Sequence, residues 1–504
     1  MSVIDLLKKY WKKIILISQY FFLLLSFLFF LLGYFNENFN FQIFGIVCLG
    51  INNLIFASRK MGDRVLFFFF TIMLFTFMYS RPFISMIRGN IWWGYFEPES
   101  IQFSSTALFI STLAIYVGVI IYSAIETKWF PKMEDRTKET SEKYRKRMIL
   151  FVVSFLMFVI CWTCATLIDI EKFLFVRGHS YEEFYVSYKT VAPLPIKALA
   201  TMMPYSICFL LACKPRKKIV FPVLTVYVLG GVPTLLMGQR NTLVLRLLFV
   251  LVYYIIQNYN DNRDKWLGKF EKLGITIGTP FLLLLLGAYN YIRANTAVES
   301  KGIVSLIMDF FYKQGTQFDT LTSGYENLEK LPFINLKNYT FGGFIDSFKH
   351  GFIAQKIFDS PGLGNGNNPI KGIVSNSYAH NLAYVYRRDA YLAGNGNGGS
   401  YLLDVNADYG ILGIILFSLL FGVILIYLVR LFTTRNYLSS VFVLCCLNDI
   451  FWTPRGGATE WLLFLVKPSF IFSVIALIGG YLIFKEFKLV PQKMFEYLKG
   501  KELI

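Results

Sequence analysis

The sequence predicts an all-α integral membrane protein with about twelve transmembrane helices and one large loop late in the chain. Three observations lead there. Hydrophobic residues make up 55% of the 504 positions and charged residues only 16%, against the roughly 25% charged of soluble domains. Apolar runs close to about 20 residues, the length that crosses a bilayer core, recur along most of the chain. The formal charge of +18 is also unevenly spread, because lysines and arginines gather in alternate links between those runs.

In chain order the runs fall at 14–34, 39–57, 65–81, 102–125, 148–168, 194–213, 219–237, 241–258, 273–290, 408–430, 438–452 and 462–484. Runs 65–81 and 438–452 are short, so each is expected to tilt, to extend through interfacial residues or to re-enter. Basic residues precede the first run at Lys8, Lys9, Lys12 and Lys13, and fill the second link with Arg59, Lys60 and Arg64. They recur from Lys128 to Arg147, from Lys214 to Lys218, from Arg263 to Lys272, at Arg430 and Arg435, and from Lys485 onward. The bias of cationic links toward the cytoplasm then places both termini there and turns 169–193 and 291–407 outward. Charge confined to such links removes the nucleic-acid reading that +18 would otherwise invite. No small-residue cleavage pattern follows the first run, so no cleavable signal peptide is expected.

The resulting organisation is spans one to nine over 1–290, an extracytoplasmic loop over 291–407, and spans ten to twelve with a cytoplasmic tail over 408–504. All seven cysteines fall in or at the ends of spans. They read as no disulfide framework and no thiol metal site, and Cys161 and Cys164 read as small packing residues.

A loop the size of 291–407 is too long to lack structure and must fold against the membrane domain. Gly302 to Tyr312 reads as a short helix. Phe341 to Phe358 reads as an amphipathic one, with Phe344, Phe348 and Phe352 at four-residue spacing for packing or for the lipid interface. Two turn-forming tracts follow, Ser360 to Pro369 and Gly394 to Gly399. Each suits either a backbone close to a ligand or a surface turn, and neither has the context of a nucleotide-binding loop. The second runs into Ser400-Tyr-Leu-Leu-Asp-Val-Asn-Ala-Asp-Tyr-Gly-Ile-Leu-Gly413. Ser400 is placed to cap a helix on which Asp404 and Asp408 share one face. Acids so near hydrocarbon face water, a cavity or a cation, or else serve as first-turn acids at a positive helix end.

Cations at the outer level form the second signal. Arg81 closes span three, Arg240 stands in Met237-Gly-Gln-Arg-Asn-Thr242, and Arg246 lies inside span eight. Arg293 follows span nine, Arg455 precedes the last span in Thr453-Pro-Arg-Gly-Gly, and Lys467 lies within that span. Snorkelling accounts for some of them. A group at one depth also suits a diphosphate, because the guanidinium fork donates paired hydrogen bonds to phosphate oxygens. Arg240, Arg293, Arg455 and Arg246 are therefore the diphosphate candidates, with a structural role open for Arg246.

Proton handling falls first to His380, whose ordinary pKa lies near neutrality and whose neighbours include Arg387 and Arg388, cations that disfavour the imidazolium. A surface or hydrogen-bonding histidine is the alternative. Asp404 and Asp408 come next. Tyr378, Tyr384 and Tyr401, with Tyr386, Trp92 and Trp93, are candidates for stacking on sugars, though interfacial belts have the same composition. No spacing suggests a metal site, and no cofactor is called for.

With its many spans, late outer loop, Met-Gly-Gln-Arg turn and the Gly-Gly-Ser-Tyr-Leu-Leu-Asp-Val-Asn-Ala-Asp-Tyr-Gly-Ile-Leu-Gly motif, the chain resembles the Wzy polysaccharide polymerases. That resemblance implies a C-type glycosyltransferase-like architecture in the bacterial cytoplasmic membrane. It implies a donor glycan on undecaprenyl diphosphate, a second lipid-linked repeat as acceptor, and a flippase and chain-length regulator as partners. Arg240 matches the arginine of the family's outer turn, and Tyr401 to Gly413 match its loop-to-helix motif. A lipid-linked glycan ligase shares these features, whereas a transporter would show related halves, and no internal repeat is evident.

Overall fold

The computed structural model describes residues 3–129, 141–179, 184, 188–261, 263–293, 302–434, 436–491 and 496. The link 130–140, the stretch 294–301 and most of the tail after 491 lie outside the described residues. Among the described residues eleven helices are long and apolar enough to cross a membrane. They belong to α1 (Val3–Phe35), α2 (Phe39–Ser58), α3 with α4 (Met61–Leu74, Ser80–Ile87), α5 (Pro98–Trp129), α6 (Ser141–Gly178) and α7 (Leu194–Ala212). The rest are α8 with α9 (Lys217–Leu229, Val232–Leu236), α10 (Arg240–Asn260), α11 (Lys269–Arg293), α19 (Tyr401–Thr433) and α21 (Pro468–Glu486).

The two short runs resolve differently. Run 65–81 is part of a 27-residue crossing, Met61–Ile87, carried through a π-helical turn at Phe75–Tyr79. Pro82 cannot donate to a carbonyl in the preceding turn, and the wider turn just before it absorbs the lost register. Run 438–452 forms only an 11-residue helix, α20 (Tyr437–Leu447), followed by a 3₁₀ turn at Ile450–Trp452. Another 3₁₀ run, Glu460–Val466, leads to Pro468 at the head of α21. This twelfth run is thus interrupted. Leu444, Cys445, Cys446, Leu447, Ile450 and Phe451 are fully or almost fully buried, and broken helix is tolerated at membrane depth where protein rather than lipid surrounds it. The break also sets Lys467 at the N-cap of α21 rather than inside a span.

Four of the links expected to share one side converge at one end of the bundle. Arg430 lies 3.4 Å from Asp63, and Lys214 Nζ donates to the Phe432 carbonyl at 2.6 Å. Arg263 Nη2 donates to the Lys214 carbonyl, and Lys217 pairs with Glu271 at 2.6 Å. Lysine against the last carbonyls of α19 also complements the negative helix end.

The other end is covered by the loop, hereafter the loop end. It begins with α12 (Ile303–Gln314), longer than the expected helix ending at Tyr312, and α13 (Gln317–Glu326). Ser80 Oγ donates to the Phe311 carbonyl, Thr322 Oγ1 to Ser104 Oγ, and the Tyr325 ring stacks on Phe103. The amphipathic segment after Phe341 divides into α14 (Gly342–His350) and α15 (Phe352–Ile357), because Gly351 takes an extended conformation and ends the first helix. Phe348 and Phe352 are exposed on this segment. Then come α16 (Pro369–Val374), α17 (Tyr378–Tyr386) and α18 (Arg388–Leu392). The seven cysteines are free, and all but Cys164 are buried.

Candidate functional site

At the loop end a cavity of about 660 Å³ opens between the head of α4, the α12–α13 pair, the α17–α18 junction and the turn that bears Arg455. The π-helical turn delivers Arg81 to its rim. Gly315, between α12 and α13, lies so close to α4 that a β-carbon there would collide with Ser80 and Arg81. That close approach lets two acids of the loop meet two arginines of the span. Asp319 Oδ2 accepts from Arg81 Nη1 at 2.7 Å, Asp309 Oδ1 accepts from Arg88 Nη2 at 2.6 Å, and the Tyr312 ring lies beneath both guanidinium groups.

Cations dominate the lining. Arg81, Lys313, Arg387 and Arg455 reach it from four segments, and Asp319 is the single carboxylate among the residues that line it. Arg455 packs on the rings of Phe77 and Trp452, with Nη1 3.3 Å from Gln314 Oε1. Burial lowers its pKa, and the charge of Arg240 lowers it further, which identifies Arg240 as its electrostatic neighbour. Arg240 heads α10 and bonds the Leu286 carbonyl of α11 at 3.4 Å. Trp92, Tyr95 and Tyr386 present aromatic surface, and Gly396 and Asn397 bring the second glycine tract into the wall. Thr320 Oγ1 fastens that tract through the Asn397 carbonyl at 3.0 Å.

The other residues singled out in the sequence are placed elsewhere. Arg246 is buried, donates to the Tyr227 carbonyl at 2.9 Å and covers the Tyr227 ring. Arg293 ends α11, and its side chain lies outside the described residues. Ser400 caps α19 as expected, accepting from the Leu402 N–H. Asp404 accepts from the Ala458 N–H at 2.9 Å, while Asp408 takes the N–H groups of Tyr339 at 3.0 Å and Thr340 at 2.6 Å. The two acids on one face therefore hold two separate outer segments to the head of α19. Gly410, at φ 62°, interrupts the helix just beyond them, a conformation that favours glycine.

His380 is half-buried, with Nδ1 3.0 Å from the Tyr391 hydroxyl, and does not line the cavity. Burial, and secondarily Lys371, push its pKa down to about 4, so the ring is neutral near neutral pH. Lys371 rather than the neighbouring arginines supplies the charge effect. Tyr378 is buried and bonds the Gly324 carbonyl. Tyr401 is buried too, and its hydroxyl meets Ser111, which also bonds Ser418 of α19. Tyr384 packs against Tyr391 under the Arg388 guanidinium.

Of the four diphosphate candidates, Arg455 lines the cavity and Arg240 is its electrostatic neighbour. Arg81 and Arg387, noticed in the sequence but not named as candidates, also line the cavity, and so does Asp319, which was passed over. The signal for Arg81 was the adjacent Pro82 at the end of a span. Asp319 had only the faint one of an acid in the otherwise uncharged stretch from Gly315 to Tyr325.

Comparison with curated proteins and with solved structures finds no match. A family model for O-antigen polysaccharide polymerase Wzy matches residues 18–488, which takes in most of the first crossing helix, all of the other ten and every residue that lines the cavity. By that match over most of its length, the chain belongs to the Wzy family of O-antigen polysaccharide polymerases, membrane proteins that polymerise lipid-linked glycan repeat units.

Proposed function

We propose that the cavity at the loop end is where the glycan is transferred, and that its arginines hold the diphosphate of an undecaprenyl-linked donor. One observation carries this reading: Arg81, Lys313, Arg387 and Arg455 come from four separate segments to a single volume that contains one carboxylate. Such a surplus of positive charge, with forked donors among it, suits a diphosphate in its ground state. It suits the departing diphosphate better, because negative charge grows there as the anomeric bond breaks. Arg240 adds to the same field from the head of α10. Trp92, Tyr95 and Tyr386 provide flat apolar surface for sugar faces.

The reaction is substitution at the anomeric carbon, as in C-type glycosyltransferases, with a hydroxyl of a second lipid-linked repeat as the attacking group. The loop end faces outward and both termini face the cytoplasm, following the cationic links gathered at the opposite end. A flippase would deliver the substrate, and a chain-length regulator would act on the product. In this arrangement Asp408 keeps the loop seated on α19 and Asp404 holds the Ala458 turn there, and neither meets the sugar.

The test is a purified preparation supplied with lipid-linked repeat, with and without a foreign glycan acceptor, and read as a ladder of products. Polymerase activity gives the ladder, ligation gives a single transfer to a foreign acceptor, and transport gives neither. Arg387→Gln and Arg455→Gln should each slow elongation by roughly 10²-fold or more, the scale for losing one donor to developing charge. Full activity in both variants would move the diphosphate site out of this cavity. Single cysteines at Leu336 and Lys143, both exposed, should label from opposite sides.

A further inference from the structure

A pocket that only gripped an anion would gain nothing from a carboxylate, yet Asp319 lies in its wall. Its setting differs from that of Asp309, the other acid paired across the α4 contact. The Asp309 side chain is 7% exposed against Arg88, whereas that of Asp319 is 35% exposed beside Arg81. Oδ2 of Asp319 takes the Arg81 hydrogen bond, and Oδ1 has no hydrogen-bond partner among the described residues. Asp319 also belongs to a row. Thr316, Asp319, Thr320 and Ser323 all line the cavity, and their spacing of three, four and seven residues puts them along one side of α13. Within that row the half-exposed carboxylate can take a proton from a sugar hydroxyl, while the buried Thr320 and Ser323 hydroxyls are given to the Asn397 and Thr320 carbonyls.

Resting on the reading of the cavity as the transfer site, we propose that this row of α13 is the acceptor subsite and that Asp319 is the base for the acceptor hydroxyl. The hydroxyl proton passes to Asp319 Oδ1 as the oxygen forms a bond to the anomeric carbon of the donor. The bond from that carbon to the diphosphate oxygen breaks, and the diphosphate leaves with the electron pair. The proton is then released to water or to the diphosphate, which restores the carboxylate. Arg81 holds the carboxylate in position from α4. Burial raises the Asp319 pKa, while Arg81 and Arg387 pull it down. Lys313 and Arg455 are the other charged groups lining the same volume. A carboxylate raised by burial is a stronger base, which suits it to accept the proton of a hydroxyl.

The experiment uses the full chain in lipid and the purified lipid-linked repeat. Elongation rate is measured across pH, and donor binding separately by the shift in thermal unfolding midpoint. Asp319→Asn should cut the maximal rate by roughly 10²-fold or more, abolish the fall in rate on the acidic side and leave donor binding intact. Asp319→Glu keeps the charge opposite Arg81 and moves the carboxyl by one methylene. It should fold, turn over slowly and shift the acidic limb. Near-normal turnover in D319N, or an unshifted limb in D319E, would overturn the assignment. Loss of donor binding in D319N equal to that in Arg81→Gln would also overturn it, leaving Asp319 as a support for Arg81. Failure of the cavity reading itself would appear elsewhere, as unaltered donor binding in R387Q and R455Q.

Discussion

The cavity and the head of α19 lie at the same end of the molecule, and both contain acids beside the loop. At the head of α19 both carboxylates are tied to backbone N–H groups, and Asp404 is buried. Asp408 accepts two backbone N–H groups and Asp404 one, and each oxygen so engaged is spent on holding a segment in place. In the cavity the carboxylate of Asp319 keeps one oxygen without a partner among the described residues and faces an open volume of about 660 Å³. The same contrast divides the arginines. Arg246 donates to a carbonyl and is buried, whereas Arg387 and Arg455 line the cavity. Charge type and membrane depth therefore do not separate the two regions; what separates them is whether the charged atoms face an open volume.

The largest test of that contrast is Asp408→Ala. Removing an acceptor for two backbone N–H groups should destabilise the seated loop by about 2–4 kcal/mol, from the usual worth of hydrogen bonds to a charged group. Limited proteolysis near Asn338 should accelerate, and activity should fall with loop protection rather than with a change in pH profile. Asp408→Asn keeps one acceptor oxygen and should lose less. If D408A retains loop protection but loses turnover, the carboxylate acts in chemistry and the division between the two regions fails.

Gly410→Ala should have a smaller effect. The position has φ 62° and open space around it, so the cost is backbone strain alone, about 1–2 kcal/mol. A lowered unfolding midpoint with substrate binding retained is the expected result. An unchanged midpoint would mean that α19 runs straight through this position.

His380 should have the smallest effect, and its sign follows from its pKa. The folded value is about 4 against an ordinary 6.5, so between these values the unfolded chain takes up a proton that the folded chain refuses. Stability contributed by the neutral ring is therefore complete above about 6.5 and is lost as pH falls through about 4. His380→Gln should flatten the stability curve in that window and leave elongation at neutral pH close to normal. A large loss of elongation with an unchanged stability curve would return the histidine to the chemistry.

The crossing helices were legible because lipid imposes a one-dimensional rule: about 20 apolar residues in a row must span it. That rule located eleven crossings, the late loop and the links that share an end, since none of these depends on which helix touches which. It left the form of 438–452 open between tilt, extension and re-entry, and there neighbouring protein satisfies a broken helix that lipid would not tolerate. The loop-to-helix motif was equally local, and Ser400 caps α19 as its sequence expects. The site was another matter. Arg81, Asp319, Arg387 and Arg455 are far apart along the chain, and only the contact of Gly315 with α4 and the seating of the loop on α19 bring them to one volume. Sequence by itself determined which charged residues stand at the loop end. Tertiary structure alone decided which are closed by backbone partners and which face the cavity, because that depends on the neighbour each side chain meets across the fold.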